Sequence, residues 1–314
     1  MISFSNPTVT VLVICFAASL AAFVVAAVFR AITVLSPSAD GPGPEDLPAA
    51  GNDGSPYQPP SVLPAIPPPL PTGKVPVGHY RKLDLIWMGF IALMFAFLSL
   101  GNASVAADKT DIVISANGLL QSIGFQLFIT TLTIAMVVWR VNPVAWLGLR
   151  WPGWRWVLLI APVSVLTMWF LSAGLFLSGY MELMKSLGVE STQDSVKLLQ
   201  QTKDPLVLTL MAVAAVLVAP ICEEIVFRGY LYPAAKRFAG PWVAGGATAL
   251  IFAAAHGALA PLLPLFVFGA LLVLAYELTG SLWAPMAMHF CFNGATVAIQ
   301  LAVRLSGIEI PDNL

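Results

Sequence analysis

Long uncharged apolar runs alternate with short polar or aromatic breaks along this chain. Thr8 to Phe29 is the first such run, 22 residues without a charge, and a helix of about 20 apolar residues crosses a bilayer. It lacks a charged leader and is longer than the apolar stretch of a usual signal peptide, so the pattern predicts an anchor. Further runs follow at about Leu83–Leu100, Ile112–Trp139, Trp156–Tyr180, Leu206–Phe238, Trp242–Leu259, Leu262–Leu278 and Ser281–Val303. The fold class that follows is all-α, a polytopic transmembrane bundle of about eight spans, with a Pro-rich linker after the first.

The breaks carry their own information. Residues 31–80 hold 13 of the 25 prolines with many Gly, Ser and Asp, a composition that predicts a disordered spacer with polyproline II character. Between the fourth and third runs, Arg140 to Arg155 is rich in Trp and Arg, the pairing found where a span meets the membrane–water interface. Residues 181–204 are polar and predict an exposed loop or surface helix. The division expected is an anchor at 1–30, a linker at 31–82, accessory helices and a loop at 83–204, and a core domain at 205–304. Within that core, Pro220 interrupts a long helix. Proline lacks the N–H that closes a helical turn, which predicts a kink just before Glu223.

Composition narrows the class. Only 10% of the residues are charged, against about 25% in soluble proteins. A net charge of −1 and the lack of a basic cluster argue against a nucleic-acid partner. Cys15, Cys222 and Cys291 lie in apolar runs, and no two have a metal-ligand spacing. The expected setting is an integral multi-pass membrane protein, in the plasma membrane if the source is bacterial, with the bilayer as a constant partner.

Against this background Glu223, Glu224 and Arg228 stand out, three ionisable groups in a nearly uncharged core. Such groups are costly at membrane depth and mark functional sites by default. Glu224 and Arg228 are four apart and share a helix face, so they can pair. Glu223 points about 100° away, which leaves it without a local cation. His256 and His289 are the intramembrane histidines, and His289 shares a face with Asn293. About the Gly240-Pro241 turn, Glu223 and His256 fall at matching depth in a helical hairpin. Carboxylate, imidazoles and amide together suit acid–base chemistry on water, with donors for an oxyanion.

Glu223-Glu224-x-x-x-Arg228, Phe252-x-x-x-His256 and His289-x-x-x-Asn293 resemble the three signature motifs of the CPBP intramembrane protease family. That family includes the type II CAAX prenyl endopeptidases and the bacteriocin-processing and immunity-associated Abi proteins. The resemblance covers roughly residues 206–303. It implies an intramembrane endopeptidase acting on a membrane protein or a lipidated, CAAX-type peptide. By motif position it implies that Glu223 and His256 activate water, that His289 and Asn293 form the oxyanion site, and that Glu224 and Arg228 support the first helix. No cofactor is the favoured expectation; Glu and two His could also hold a zinc ion. A scaffold or immunity protein of the same fold and, less strongly, a transporter remain rival readings.

Charge places the ends of the bundle. With the N-terminus outside, Arg30, Lys74, Arg81, Lys82, Arg140, Arg150, Arg155, Lys236 and Arg237 fall inside, against five cations outside. In this orientation Glu223 and His256 lie about 24 Å from the inner turn, nearer the outer face, which conflicts with a cytosol-facing CAAX-type cavity.

Overall fold

The structure is a computed structural model and describes residues 6–35, 73–107, 115–189 and 202–306. Its helices are α1 (Pro7–Leu35), α2 (Asp84–Ala107), α3 (Ala116–Val137), the short α4 (Pro143–Trp146), α5 (Val157–Leu177), the short α6 (Tyr180–Ser186), α7 (Pro205–Ala239), α8 (Pro241–Ala255), α9 (Leu262–Thr279) and α10 (Trp283–Ser306). Seven helices among the described residues are long and apolar enough to cross a membrane. The chain is thus an integral, multi-pass, all-α membrane protein. The eighth expected span is shorter than the apolar run suggested. Helix α8 stops at Ala255, and His256 takes its cap position, followed by Gly257 at φ +70°. At 15 residues α8 is about 22 Å long, less than the roughly 30 Å hydrocarbon core.

Helix α7 is the axis of the bundle and departs twice from α-helical winding. Ala214–Val218 and Glu224–Leu231 are π-helical turns, in which each N–H reaches back five residues rather than four. Each is followed within two positions by a proline, Pro220 and Pro233. The Ala219 N–H bonds to the Ala214 carbonyl, so Pro220 is the residue that should serve Ala215, and it has no N–H to give. The Tyr232 N–H likewise reaches Phe227, and Pro233 returns nothing to Arg228 or Gly229. Buried carbonyls without partners are costly, and other elements supply the missing donors. Asn293 Nδ2 donates to Ala215 O at 2.8 Å. Tyr80 Oη and Trp146 Nε1 both donate to Gly229 O, at 2.8 and 2.9 Å. Pro220 therefore widens the helix where a simple kink was expected.

The donors at Gly229 belong to a buried polar layer at the basic end of the bundle. Asp84, 1% exposed, takes two hydrogen bonds from Arg140 at 2.7 and 2.9 Å and one from Tyr230 at 2.8 Å. These join the start of α2, the end of α3 and the π-turn of α7. Burial, and then the Arg140 charge, lower the His79 pKa, so that imidazole stays neutral near pH 7. A second ion pair, Lys236 with Glu277, ties α7 to α9, and Lys236 also donates to Val75 O at 3.2 Å. Val75, Val77 and Tyr80 are core residues. The expected spacer over 31–82 is therefore ordered at both ends: residues 31–35 extend α1, and 73–82 pack on the core. Residues 36–72 lie outside the described residues, as does 190–201 of the expected polar loop.

The Asp84–Arg140 pair yields a stability prediction. Removing one partner of a buried ion pair costs about 3–5 kcal/mol. Asp84→Ala should lower the melting temperature of the detergent-solubilised protein clearly, whereas Arg81→Ala, at an exposed cation nearby, should leave it within a degree or two. Equal melting of the two variants would show that the layer does not hold the helices together.

Candidate active site

One π-turn above Gly229 lies the acidic pair. Glu224 is fully buried, and its Oε1 accepts from Arg228 Nη1 at 3.0 Å and from His289 Nδ1 at 2.8 Å. The expected Glu224–Arg228 pairing is thus present, with an imidazole added. Arg228 is held on two further sides: Nη2 donates to Gly269 O at 3.2 Å, and the guanidinium lies 4.2 Å from the Phe252 ring centroid. Gly269 is needed for this approach, because a Cβ there would press on Ala249 and Phe252 at 3.2 Å. One buried carboxylate therefore joins α7, α9 and α10.

Glu223 is different. Its side chain is 26% exposed, and among the described residues its Oε2, like the Oε2 of Glu224, has no hydrogen-bond partner. His289 Nε2 stands 3.9 Å from that oxygen. This is too long for a hydrogen bond and suits a single water bonded to both. With Nδ1–H donated to Glu224, the Nε2 of neutral His289 carries a lone pair. The ring is wedged edge-on between Phe252 and Phe268, with centroids at 5.9 and 5.4 Å, so its orientation is set by packing on both sides.

The other two expected residues sit further out. Asn293 lies one turn beyond His289 and spends an amide N–H on Ala215, which leaves its second N–H. His256 is exposed, and its ring makes no ion pair with Glu223. It lies 5.0 Å from the Phe252 ring, and its Nδ1–H donates to the Phe252 carbonyl at 2.8 Å. That bond fixes the tautomer and turns a bare Nε2 outward. The structure therefore gathers Glu223, Glu224, Arg228 and His289 in contact, adds Asn293 through the backbone of α7, and stands His256 across Phe252. The Glu223–His256 dyad expected from matching depth is not a direct contact.

Phe252 is the residue whose part the sequence did not reveal. It touches Arg228, Phe227, His256 and His289. Its place four residues before His256 was the available signal, since that spacing puts both on one face.

A zinc ion does not fit these groups as they stand. Among the described residues no three His, Cys, Asp or Glu groups converge as a metal site. His289 Nδ1 is committed to Glu224, and only Glu223 and the His289 Nε2 face one another.

Seven membrane-length helices around a buried acid–imidazole centre define a polytopic membrane protein with an ionisable core. Residues 205–295 match the family model of the type II CAAX prenyl endopeptidase Rce1-like proteins. The chain is also 32% identical over 92 residues to the Bacillus subtilis (strain 168) protein named "Putative membrane peptidase YdiL". That match spans 29% of this chain and 38% of the relative. The α7–α10 segment is thus similar to CAAX-type endopeptidases and to a protein named as a membrane peptidase, and the chain spans well under half the length of that relative. No solved structure matches the chain.

The two acids should separate on substitution. Glu224→Gln leaves buried Arg228 without a counter-charge and should cost about 3–5 kcal/mol, read as a large fall in melting temperature. Glu223→Gln removes a group with no cation partner and should fold as well as the wild type. Equal destabilisation by both would contradict the division of roles.

Proposed function

We propose that the chain is an intramembrane endopeptidase that hydrolyses a peptide bond of a membrane-associated or lipidated protein with a water activated by Glu223. The observation that carries this reading is the partnerless Glu223 Oε2 facing His289 Nε2 at 3.9 Å. A water admitted between them would bond to a carboxylate and an imidazole at once.

The step balances on these groups. Glu223 takes a proton from the water as its oxygen bonds to the scissile carbonyl carbon, and the C=O electron pair moves to oxygen. The second N–H of Asn293 is a donor for that oxyanion, worth roughly 3 kcal/mol when preorganised. Glu223 then returns the proton to the amide nitrogen as the C–N bond breaks, releasing an amine and a carboxylic acid, which loses its remaining proton to solvent. His256, with Nε2 free and exposed, serves as a second proton carrier at the mouth. Glu224 and Arg228 do no chemistry; they hold the His289 ring in place. No step calls on a metal.

A catalytically silent protein of the same fold is the rival reading; against it stands the contrast between Glu224, fully buried and ion-paired, and Glu223, partly exposed beside His289 Nε2. Transport is disfavoured by the closed layer around Tyr80, Trp146 and Tyr230, all buried below the site.

The test uses the full chain in nanodiscs with a library of membrane-anchored and prenylated peptides. Wild type should cleave a subset. Glu223→Gln should lose at least 100-fold in rate and His256→Gln about 100- to 10,000-fold, the range for a lost general acid or base. Cleavage should persist in the presence of a chelator. Unchanged turnover by Glu223→Gln would remove the hydrolase reading, and chelator loss reversed by one divalent ion would replace the mechanism.

A further inference from the structure

Away from the site, the basic end of the bundle carries a pocket that the hydrolase reading does not use. It has a volume of about 370 Å³ and is lined by Asn142, Val144, Ala145, Gly148 and Arg150. Its frame is rigid. Leu282 N–H donates to Leu147 O at 2.9 Å, and Trp283 Nε1 donates to Leu149 O at 3.1 Å. Gly148 adopts φ +61°, and a Cβ there would lie 1.9 Å from Gly280 O, so only glycine lets the two turns meet. Gly280 in turn abuts Lys74.

The charges around this pocket are one-sided. Lys74, Arg81, Lys82, Arg150 and Arg155 are exposed. None of their side chains makes a hydrogen bond or ion pair among the described residues. The described acids at the same end are Asp84 and Glu277, and both are already paired with buried cations, Arg140 and Lys236. Trp139, Trp154 and Trp156 are exposed beside them at 80%, 58% and 61%, the ring of aromatics expected at headgroup level. Asn142 spends its Oδ1 on Val144 N–H at 2.9 Å, which leaves its amide N–H groups as donors at the wall.

We propose that this pocket binds the phosphate headgroup of an anionic phospholipid, with Arg150 as its cation and Asn142 as a neutral donor. The headgroup source is favoured over free phosphate because the pocket sits beside the exposed Trp residues, at the depth where headgroups lie. A lipid there would brace the turns at 140–153 and 279–283 that close the bundle beneath the candidate site.

The test is native mass spectrometry of the full chain released from detergent, titrated with phosphatidylglycerol or phosphatidylcholine. The wild type should retain phosphatidylglycerol selectively. Arg150→Gln should weaken retention about fivefold, as expected for one cation near an anionic surface, while Lys203→Gln, an exposed cation at the opposite end, should not. The Arg150 side chain has no hydrogen-bond or ion-pair partner among the described residues, and an unchanged elution profile checks that the variants fold. Equal retention of phosphatidylcholine, no effect of Arg150→Gln, or displacement of the lipid by inorganic phosphate would overturn the proposal. None of these outcomes depends on peptidase activity.

Discussion

A carboxylate that is fully buried among apolar helices must be neutralised where it stands, and Glu224 sets the arrangement of the whole core. Its partners come from different directions: Arg228 from its own helix, His289 from α10, and through Arg228 the Gly269 carbonyl of α9. Loss of any one leaves a charge or a donor unsatisfied in a medium with no water to replace it. The cluster therefore specifies the lateral order of three helices. It also settles which acid is free. Glu224 consumes both the cation and the inner face of His289, and Glu223, one residue earlier and rotated outward, meets only the remaining imidazole nitrogen.

The widened turns of α7 add a second departure from simple helical periodicity. A π-turn adds a residue to the helical circuit, so side chains before and after it change their facing. In α7 the prolines stand just after each such turn, and the carbonyls they abandon are met by Asn293, Tyr80 and Trp146. Asn293 thus fastens α10 to the same helix that carries the acids. A chain with Ala in place of Pro220 could close Ala215 with its own backbone, and α10 would lose that anchor.

Much of this was legible in the residues. Helix periodicity separated the two acids by face and paired Glu224 with Arg228, and burial of an amide pointed Asn293 inward. The spans followed from apolar run length. What the pattern could not give was contact across helices. Nothing in the spacing says that His289 would claim Glu224 or that Phe252 would stand between the histidines. Depth matching did not reveal that Phe252 stands between the histidines, nor that α8 ends at a positive-φ glycine while apolarity continues to Leu259. The linker was misread at its edge for a related reason. Val75, Val77 and Tyr80 are ordinary in sequence, and only the orphaned Gly229 carbonyl and the buried Lys236 explain why they are drawn into the core.

The conflict over depth has a physical resolution in the same connectors. Counting along α7 alone leaves Glu223 about 24 Å from the Gly240 turn, because α7 runs on past its neighbours. The turns carrying Trp146, Leu147 and Leu282 instead meet α7 at Gly229. Gly229 is five residues from Glu224, or about 7.5 Å, and His289 lies six residues, about 9 Å, into α10. On that flank the acid–imidazole centre is separated from the basic end by one layer of buried aromatic and polar side chains. The length of the helix that bears a residue is therefore a poor measure of its distance from water. That distance is set by how far the shorter connectors rise beside it.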